Sequence, residues 1–341
     1  MKKLWTKVIG KVFFLLLVTG FAIWASSSAR AGKLDEIKSK GFLTCGVSNG
    51  LLGFSHNNDG KSWNGFDVDF CRAVAVAIFN EPDKVKFVPL SATERFEALE
   101  TGRIDLLSRN TTWTLARDVG FNFTFIGVSY FDGQGFLIRQ SEGITSALQL
   151  EGAKICVLKG TTSQINLRRY FDAKKIKVNI IEFSDRPAAL RAYADRSCDA
   201  YSADKSALAA QRLQLKDDDE HILLREVVSK EPLSPVVQNT DPAWADLVRW
   251  ILFLLINAEE EGLNSTDKNL QEKFQLHLSG TDKLNDKLGL EKGWAENVIR
   301  QIGNYGEVFE RNLGKDSPLL LPRGVNTLWT QGGLLYAPPM R

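Results

Sequence analysis

Residues 108–118 bring together Ser108, Arg109, Asn110, Thr111, Thr112, Trp113, Thr114 and Arg117, directly after the apolar run Ile104-Asp105-Leu106-Leu107. An apolar run that stops abruptly in hydroxyls, an amide and guanidiniums reads as a buried strand whose carboxyl end opens on an anion site, where α/β sheets hold their ligands. Capture of a small carboxylate is the chemistry this block suits. A planar guanidinium pairs bidentately with a carboxylate at a fixed angle, and each charge-assisted bond is worth roughly 1.5–3 kcal/mol. The alternative for Arg117 is a solvated arginine on a surface helix, against which its flanking Thr112-x-Thr114 argues. Thr114 reads as the cap of the helical turn that leads to Arg117. Arg109, nearer the strand end, is open between a structural part, a pocket-shaping part and contact with a ligand side chain.

The elements that must position this block alternate in type. Residues 42–47, 85–90 and 104–107 read as strands, and residues 66–79 and 93–101 as helices. Phe66, Phe70, Val74 and Ile78 recur at spacing four on one helix face, Ser91-x-x-Glu94 fits a capping box and Gly102 a C-cap. A second series follows Asp132-Gly133-Gln134-Gly135: strands at 154–158, 178–183 and 199–202, helices from Thr162, at 187–194 and at 204–213, and a last run at 222–224. Alternation of this kind predicts mostly parallel sheets with helices on their faces. Two α/β blocks joined by an outgoing and a returning extended crossing, the latter at 229–235, make a hinged pair of lobes with a cleft between them. Asp241-Pro242 caps a strong helix running to Gly262, whose apolar run 250–256 is too short for a bilayer and reads as a core helix of the first lobe. The tail from Trp294 carries enough structure signals to pack on the lobes rather than stay disordered.

Composition narrows the class of function. Lys2, Lys3, Lys7 and Lys11 precede an uncharged apolar stretch at 12–24 and then Ala29-Arg30-Ala31, the pattern of a secretory signal cut before Gly32. Without residues 1–31, 38 basic residues face 41 acidic ones, a net charge near −3 that argues against nucleic acid as a partner. Cys45, Cys71, Cys156 and Cys198 form no C-x-x-C pair and only three histidines accompany them, so disulfides are favoured over a metal site, and no metal or cofactor is expected. Of the three possible connectivities, Cys45 with Cys71 and Cys156 with Cys198 is favoured because each pair stays inside one half of the chain; buried free thiols are the alternative.

Gly65-Phe66-Asp67-Val68-Asp69-Phe70, followed by Val74, Ala75 and Ile78, matches the signature of the bacterial extracellular solute-binding proteins for polar amino acids. Physically, Gly65 turns the chain into a helix and Asp67 and Asp69 suit its positive N-terminal end. The chain resembles this family over roughly residues 33–260. In the segment 109–118, in Gln134-Gly135-Phe136 and in Asn304-Tyr305-Gly306, it resembles the family's broad-specificity branch, the general L-amino-acid binders of ABC transporters.

The resemblance implies an α/β, two-lobe periplasmic binding protein of type II, a Venus flytrap with two hinge crossings and a C-terminal extension. The expected division is a signal peptide at 1–31, the first lobe at 32–136, the second at 137–230, a return segment of the first at 231–265 and the extension at 266–341. It further implies that Arg117 grips the ligand α-carboxylate with Thr112, that Asn110 offers backbone groups, and that Thr161 and Thr162 meet the carboxylate from the opposite wall. Asp204, five residues after Asp199, matches the acid that binds the α-ammonium, and its alternative is an ordinary N-cap. Where relatives selective for cations carry an acid and an aromatic platform, this chain has Ser48 and Leu51, with Ala92 where another aromatic packs. With no charge there to select cationic side chains, a tolerant pocket is expected.

The function implied is capture of L-amino acids by lobe closure in the periplasm and delivery by a monomer to an inner-membrane permease, without catalysis. Two rivals remain at this level. One is an exported dehydratase on the same scaffold, which needs an acid or base beside the reacting carbon. The other is a ligand-sensing module that acts through a receptor.

Overall fold

The computed structural model describes residues 32–341 except 58, 59 and 61; the expected signal segment at 1–31 lies outside the described residues. Among the described residues eleven strands, β1 Leu43–Ser48, β2 Val85–Leu90, β3 Leu106–Leu107, β4 Phe123–Phe125, β5 Tyr130–Arg139, β6 Lys154–Leu158, β7 Asn179–Phe183, β8 Ala200–Asp204, β9 His221–Leu223, β10 Lys230–Leu233 and β11 Val236–Gln238, form two sheets. The first has the order β2-β1-β3-β11-β4; the second runs β10-β5-β8-β6-β7, with β9 also on β5.

The neighbours of β1 in the first sheet and those of β6 in the second are parallel, as the alternation predicts. The remaining pairs are antiparallel, and the reason is the path of the chain. It leaves the first sheet along β5 and returns along β10, so these two strands run in opposite directions and pair from Tyr130↔Leu233 to Lys230↔Gly133. On its return the chain enters the first sheet as β11, between β3 and β4 and antiparallel to both.

Cys45 bonds Cys71, tying β1 to the helix Phe66–Phe79, and Cys156 bonds Cys198 within the second sheet's layer, the pairing favoured from sequence. That helix begins where Gly65 has φ 133°, and a Cβ there would meet the Phe54 carbonyl oxygen at 2.2 Å, so only glycine lets the two backbones approach. Spacing predicts one buried face for this helix. It is instead buried almost all round, because the tail helix Trp294–Ile302 covers the side the sheet does not. Ser91 and Glu94 exchange the two bonds of the expected capping box, with the helix starting at Arg95, two residues later than expected. Asp241 caps the helix Pro242–Glu260 by accepting from the Trp244 N–H at 3.0 Å. Among the described residues no helix is long and apolar enough to cross a membrane.

Candidate functional site

The donor block begins where β3 ends. Ser108 N–H makes its bond to the Gly46 carbonyl, and the chain then turns at Asn110, whose φ of 35° lies in the left-handed region that asparagine tolerates. Asp67 fixes the turn: its carboxylate accepts the Asn110 N–H at 2.9 Å and the Ser108 hydroxyl at 3.3 Å. The first acid of the Gly65-Phe66-Asp67 signature therefore braces the site as well as suiting its own helix. Burial pushes this carboxyl up to about 7, against the lowering effect of those two bonds and of Arg109.

The block then lies along the returning crossing. Trp113 N–H donates to the Pro232 carbonyl, Ser234 N–H to the Thr111 carbonyl, and Thr112 sits opposite Leu233. Thr114 caps the short helix Leu115–Asp118 by accepting the Arg117 N–H, as expected. Arg117 donates from its terminal nitrogen to the Thr112 carbonyl at 2.9 Å, and its guanidinium lies 5.3 Å from the centre of the Phe96 ring.

The second wall comes from the other sheet. β6 ends at Leu158, Gly160 turns at φ 75° with Thr93 of the first sheet's layer close above it, and the helix Thr162–Lys174 opens. The Thr161 hydroxyl is engaged locally, donating to the Leu158 carbonyl at 2.7 Å and accepting from Gln164 N–H, which leaves its amide rather than its hydroxyl for a ligand. Asp204 closes β8 and precedes the helix Lys205–Arg212, yet its side chain makes no cap bond, which sets aside the N-cap alternative. Burial, reinforced by Asp132 and Glu231, holds its carboxyl well above the usual range, while Arg117 and Arg186 pull the other way.

These pieces meet in one cleft between the sheets. Asn110, Thr112, Thr161, Thr162 and Asp204 all line it, in a space of about 450 Å³ that includes its opening to solvent. The hydroxyls of Thr112 and Thr162 are 3.3 Å apart, so the two walls touch and the lobes are closed on each other. Three of the expected residues stand elsewhere. Arg117 is not among the lining residues: its guanidinium is held at the Thr112 carbonyl, within electrostatic reach of Glu231 and Asp204. Ser48 is buried and reaches the site only through Arg186, which donates to its hydroxyl at 2.9 Å. Leu51 is a core residue: the segment 51–55 folds back on itself, Leu51 N–H to the Ser55 carbonyl at 2.7 Å, and tucks the side chain inside with Phe54. The Asn110 N–H, expected to face a ligand, is taken by Asp67, whereas its buried Oδ1 has no partner.

Sequence reasoning passed over four residues of this site. Glu231 on β10 is buried and accepts from Thr112 at 2.6 Å, Thr162 at 2.7 Å, Asn166 at 2.7 Å and also Ser229, so it joins both walls to the returning crossing. Arg95 and Arg186 line the cleft with Arg109, and Ser202 lines it from β8. The Ser-Lys-Glu-Pro crossing and the Asp185-Arg186-Pro187 helix start carried only generic turn and cap signals.

The sequence matches the profile of the bacterial extracellular solute-binding proteins, family 3, over residues 43–288. The chain belongs to this family. Its curated relatives include the general L-amino acid-binding periplasmic protein AapJ of Rhizobium johnstonii, 48% identical over 93% of this chain and 95% of that one. The glutamate/glutamine/aspartate/asparagine-binding protein BztA of Rhodobacter capsulatus is 41% identical over 97% of this chain and 98% of that one. Among solved structures, a periplasmic binding protein from Brucella ovis with glutathione bound superposes with a TM-score of 0.87, at 48% identity over 92% of this chain and all of that one. This type II, two-lobe architecture is the fold the family resemblance implied.

Proposed function

We propose that the chain is a periplasmic substrate-binding protein that captures L-amino acids by lobe closure and hands them to an ABC transporter permease, binding its ligand without converting it. The observation that carries this reading is the meeting of Thr112 from one sheet with Thr162 and Asp204 from the other in a single buried cleft. Relatives matched almost end to end, one named as a general L-amino acid-binding periplasmic protein and one as a glutamate/glutamine/aspartate/asparagine-binding protein, support it.

In the proposed complex the α-carboxylate takes the first amides of the helix Thr162–Lys174 and the Thr112 and Thr162 hydroxyls, which turn from Glu231 to donate to it, with Arg117 supplying positive charge beside Thr112. Asp204 takes the α-ammonium. The first lobe, at 32–136 with its return at 231–265, docks the ligand, and the second, at 137–230, swings about β5 and β10 to cover it. Ligand then shifts an open-to-closed equilibrium by its differential affinity.

Calorimetry of the refolded, ligand-stripped protein against the common L-amino acids, several D forms and glutathione tests the reading. Micromolar binding of many L-amino acids is expected, corresponding to about 8 kcal/mol. Arg117→Lys should weaken all of them together by roughly tenfold, since it keeps the charge and loses the planar donor that holds the Thr112 carbonyl. Absence of binding, or turnover of prephenate or arogenate by the same preparation, overturns it. Amino-acid uptake left intact by deletion of the gene would favour the sensory alternative.

A further inference from the structure

Three guanidiniums line the cleft, Arg95, Arg109 and Arg186 at 2%, 3% and 7% exposed, and a fourth, Arg117 at 8%, is held beside it at the Thr112 carbonyl. Burying a charge without a partner is costly, and proteins meet the cost by pairing it. Here none of the four has a carboxylate oxygen within 4 Å among the described residues, although seven other arginines of this chain do. Their contacts are neutral. Arg95 donates to the Thr111 hydroxyl at 3.4 Å, Arg109 to the Leu90 carbonyl at 3.0 Å, and Arg186 to the Ser48 hydroxyl at 2.9 Å and the Gly50 carbonyl at 3.4 Å. The Nε atoms of Arg95 and Arg186, both buried, have no hydrogen-bond partner. Desolvation first, and like-charged neighbours after it, lower the affinity of Arg95 and Arg109 for their protons, Arg109 to about 9, against the opposing pull of Asp204 and, at Arg109, of Asp67.

An α-amino acid brings one ammonium for Asp204 and one carboxylate for the Thr112 and Thr162 wall, and leaves the lack of a carboxylate partner at Arg95, Arg109 and Arg186 as it is. A second carboxylate on the ligand would correct it. Arg95, Arg109 and Arg186 all line the cleft beside the donors assigned to the backbone part of the ligand, and they come from both lobes, Arg186 reaching across from the helix Arg186–Ala194. We infer that Arg95, Arg109 and Arg186 form a second anion subsite, so that the pocket ranks amino acids with a side-chain carboxylate above neutral ones and excludes cationic ones. This rests on the proposed amino-acid binding and sharpens the tolerant pocket expected from Ser48 and Leu51: no acid is present to attract cations, and the charges that are present repel them.

L-Glutamate and L-glutamine differ only in whether the side chain ends in a carboxylate or an amide, so their comparison isolates the subsite. By calorimetry on the ligand-stripped wild-type protein at pH 7, glutamate should bind at least tenfold tighter than glutamine, and lysine at least tenfold weaker than glutamine. Arg186→Gln and Arg95→Gln should each lose at least tenfold more affinity for glutamate than for glutamine. A uniform loss for both ligands would mean that these residues act only in closing the lobes, and the inference would be wrong. Equal binding of glutamate and glutamine by the wild type sinks it without any variant, and Arg95→Gln carries the comparison alone if Arg186→Gln fails to fold. If no amino acid binds at all, the functional reading itself has failed; if all bind equally, that reading stands and only the second subsite falls.

Discussion

Asp204 shows how a single residue's environment sets its chemistry. It ends a strand, declines to cap the following helix and sits buried near Asp132 and Glu231, so without ligand it holds its proton far more readily than a solvated aspartate. An ammonium placed against it favours the ionised form and lowers that raised pKa, so ligand binding releases a proton. The sign follows: affinity for amino acids should fall as pH drops through the raised pKa of the unliganded carboxyl, because protonated Asp204 offers the ammonium no charge. Calorimetry in two buffers of different ionisation enthalpy checks it, with net proton release expected for the wild type and abolished in Asp204→Asn. The same logic makes the matching 2-oxo acids poor ligands.

At the scale of elements, β10 is the member on which the two lobes agree. It pairs with β5 in the crossing and runs beside the donor block, and its Glu231 gathers hydroxyls from both walls of the cleft. Those are the hydroxyls proposed to hold the ligand's carboxylate, so Glu231 holds the closed walls together where the substrate also binds. Glu231→Gln turns one acceptor oxygen into a donor facing donors, leaving at least one buried group unsatisfied at a cost of about 1–3 kcal/mol. A lower melting temperature and a larger radius of gyration for the ligand-free variant in small-angle scattering are the expected results. An unchanged radius would mean that Glu231 does not bias closure.

The whole molecule is held by its C-terminal extension as much as by its two sheets. Trp294–Ile302 buries the outer side of the signature helix, Arg311 and Asn312 bind Asp69 at 2.8 and 2.7 Å, and Tyr305 donates to the Ser129 carbonyl at 2.8 Å. Asn326 completes the brace, accepting the Phe131 N–H at 2.7 Å and donating to the Phe131 carbonyl at 3.0 Å, as a neighbouring strand would on the outgoing crossing. Asn326→Ala therefore frees both backbone groups of Phe131. Hydrogen exchange should show β5 near Phe131 losing protection, with the protection of β6 and β8 in the second sheet unchanged; unchanged exchange at Phe131 would contradict the brace.

Local pattern sufficed for much of this protein. Alternating strand and helix signals, the capping box at Ser91 and Glu94 and the position of Thr112, Thr162 and Asp204 near strand ends were legible because each depends on residues a few positions apart or on family motifs of that length, and the cysteine pairing, at separations of 26 and 42, because each pair stays inside one half of the chain. The charge of the cleft was not. Arg186 meets Ser48 across 138 residues and Glu231 meets Thr112 across 119, so reading the first loop alone showed a neutral pocket where the folded chain gathers guanidiniums. Burial also separated residues that look equivalent in sequence, placing Leu51 in the core and Arg117 at the Thr112 carbonyl while leaving Arg95 and Arg109 at the cleft. Sequence alone determined which elements form and where donors end a strand. Tertiary structure decided which charges face one another, because electrostatic pairing and desolvation depend on distances through space that no spacing along the chain encodes.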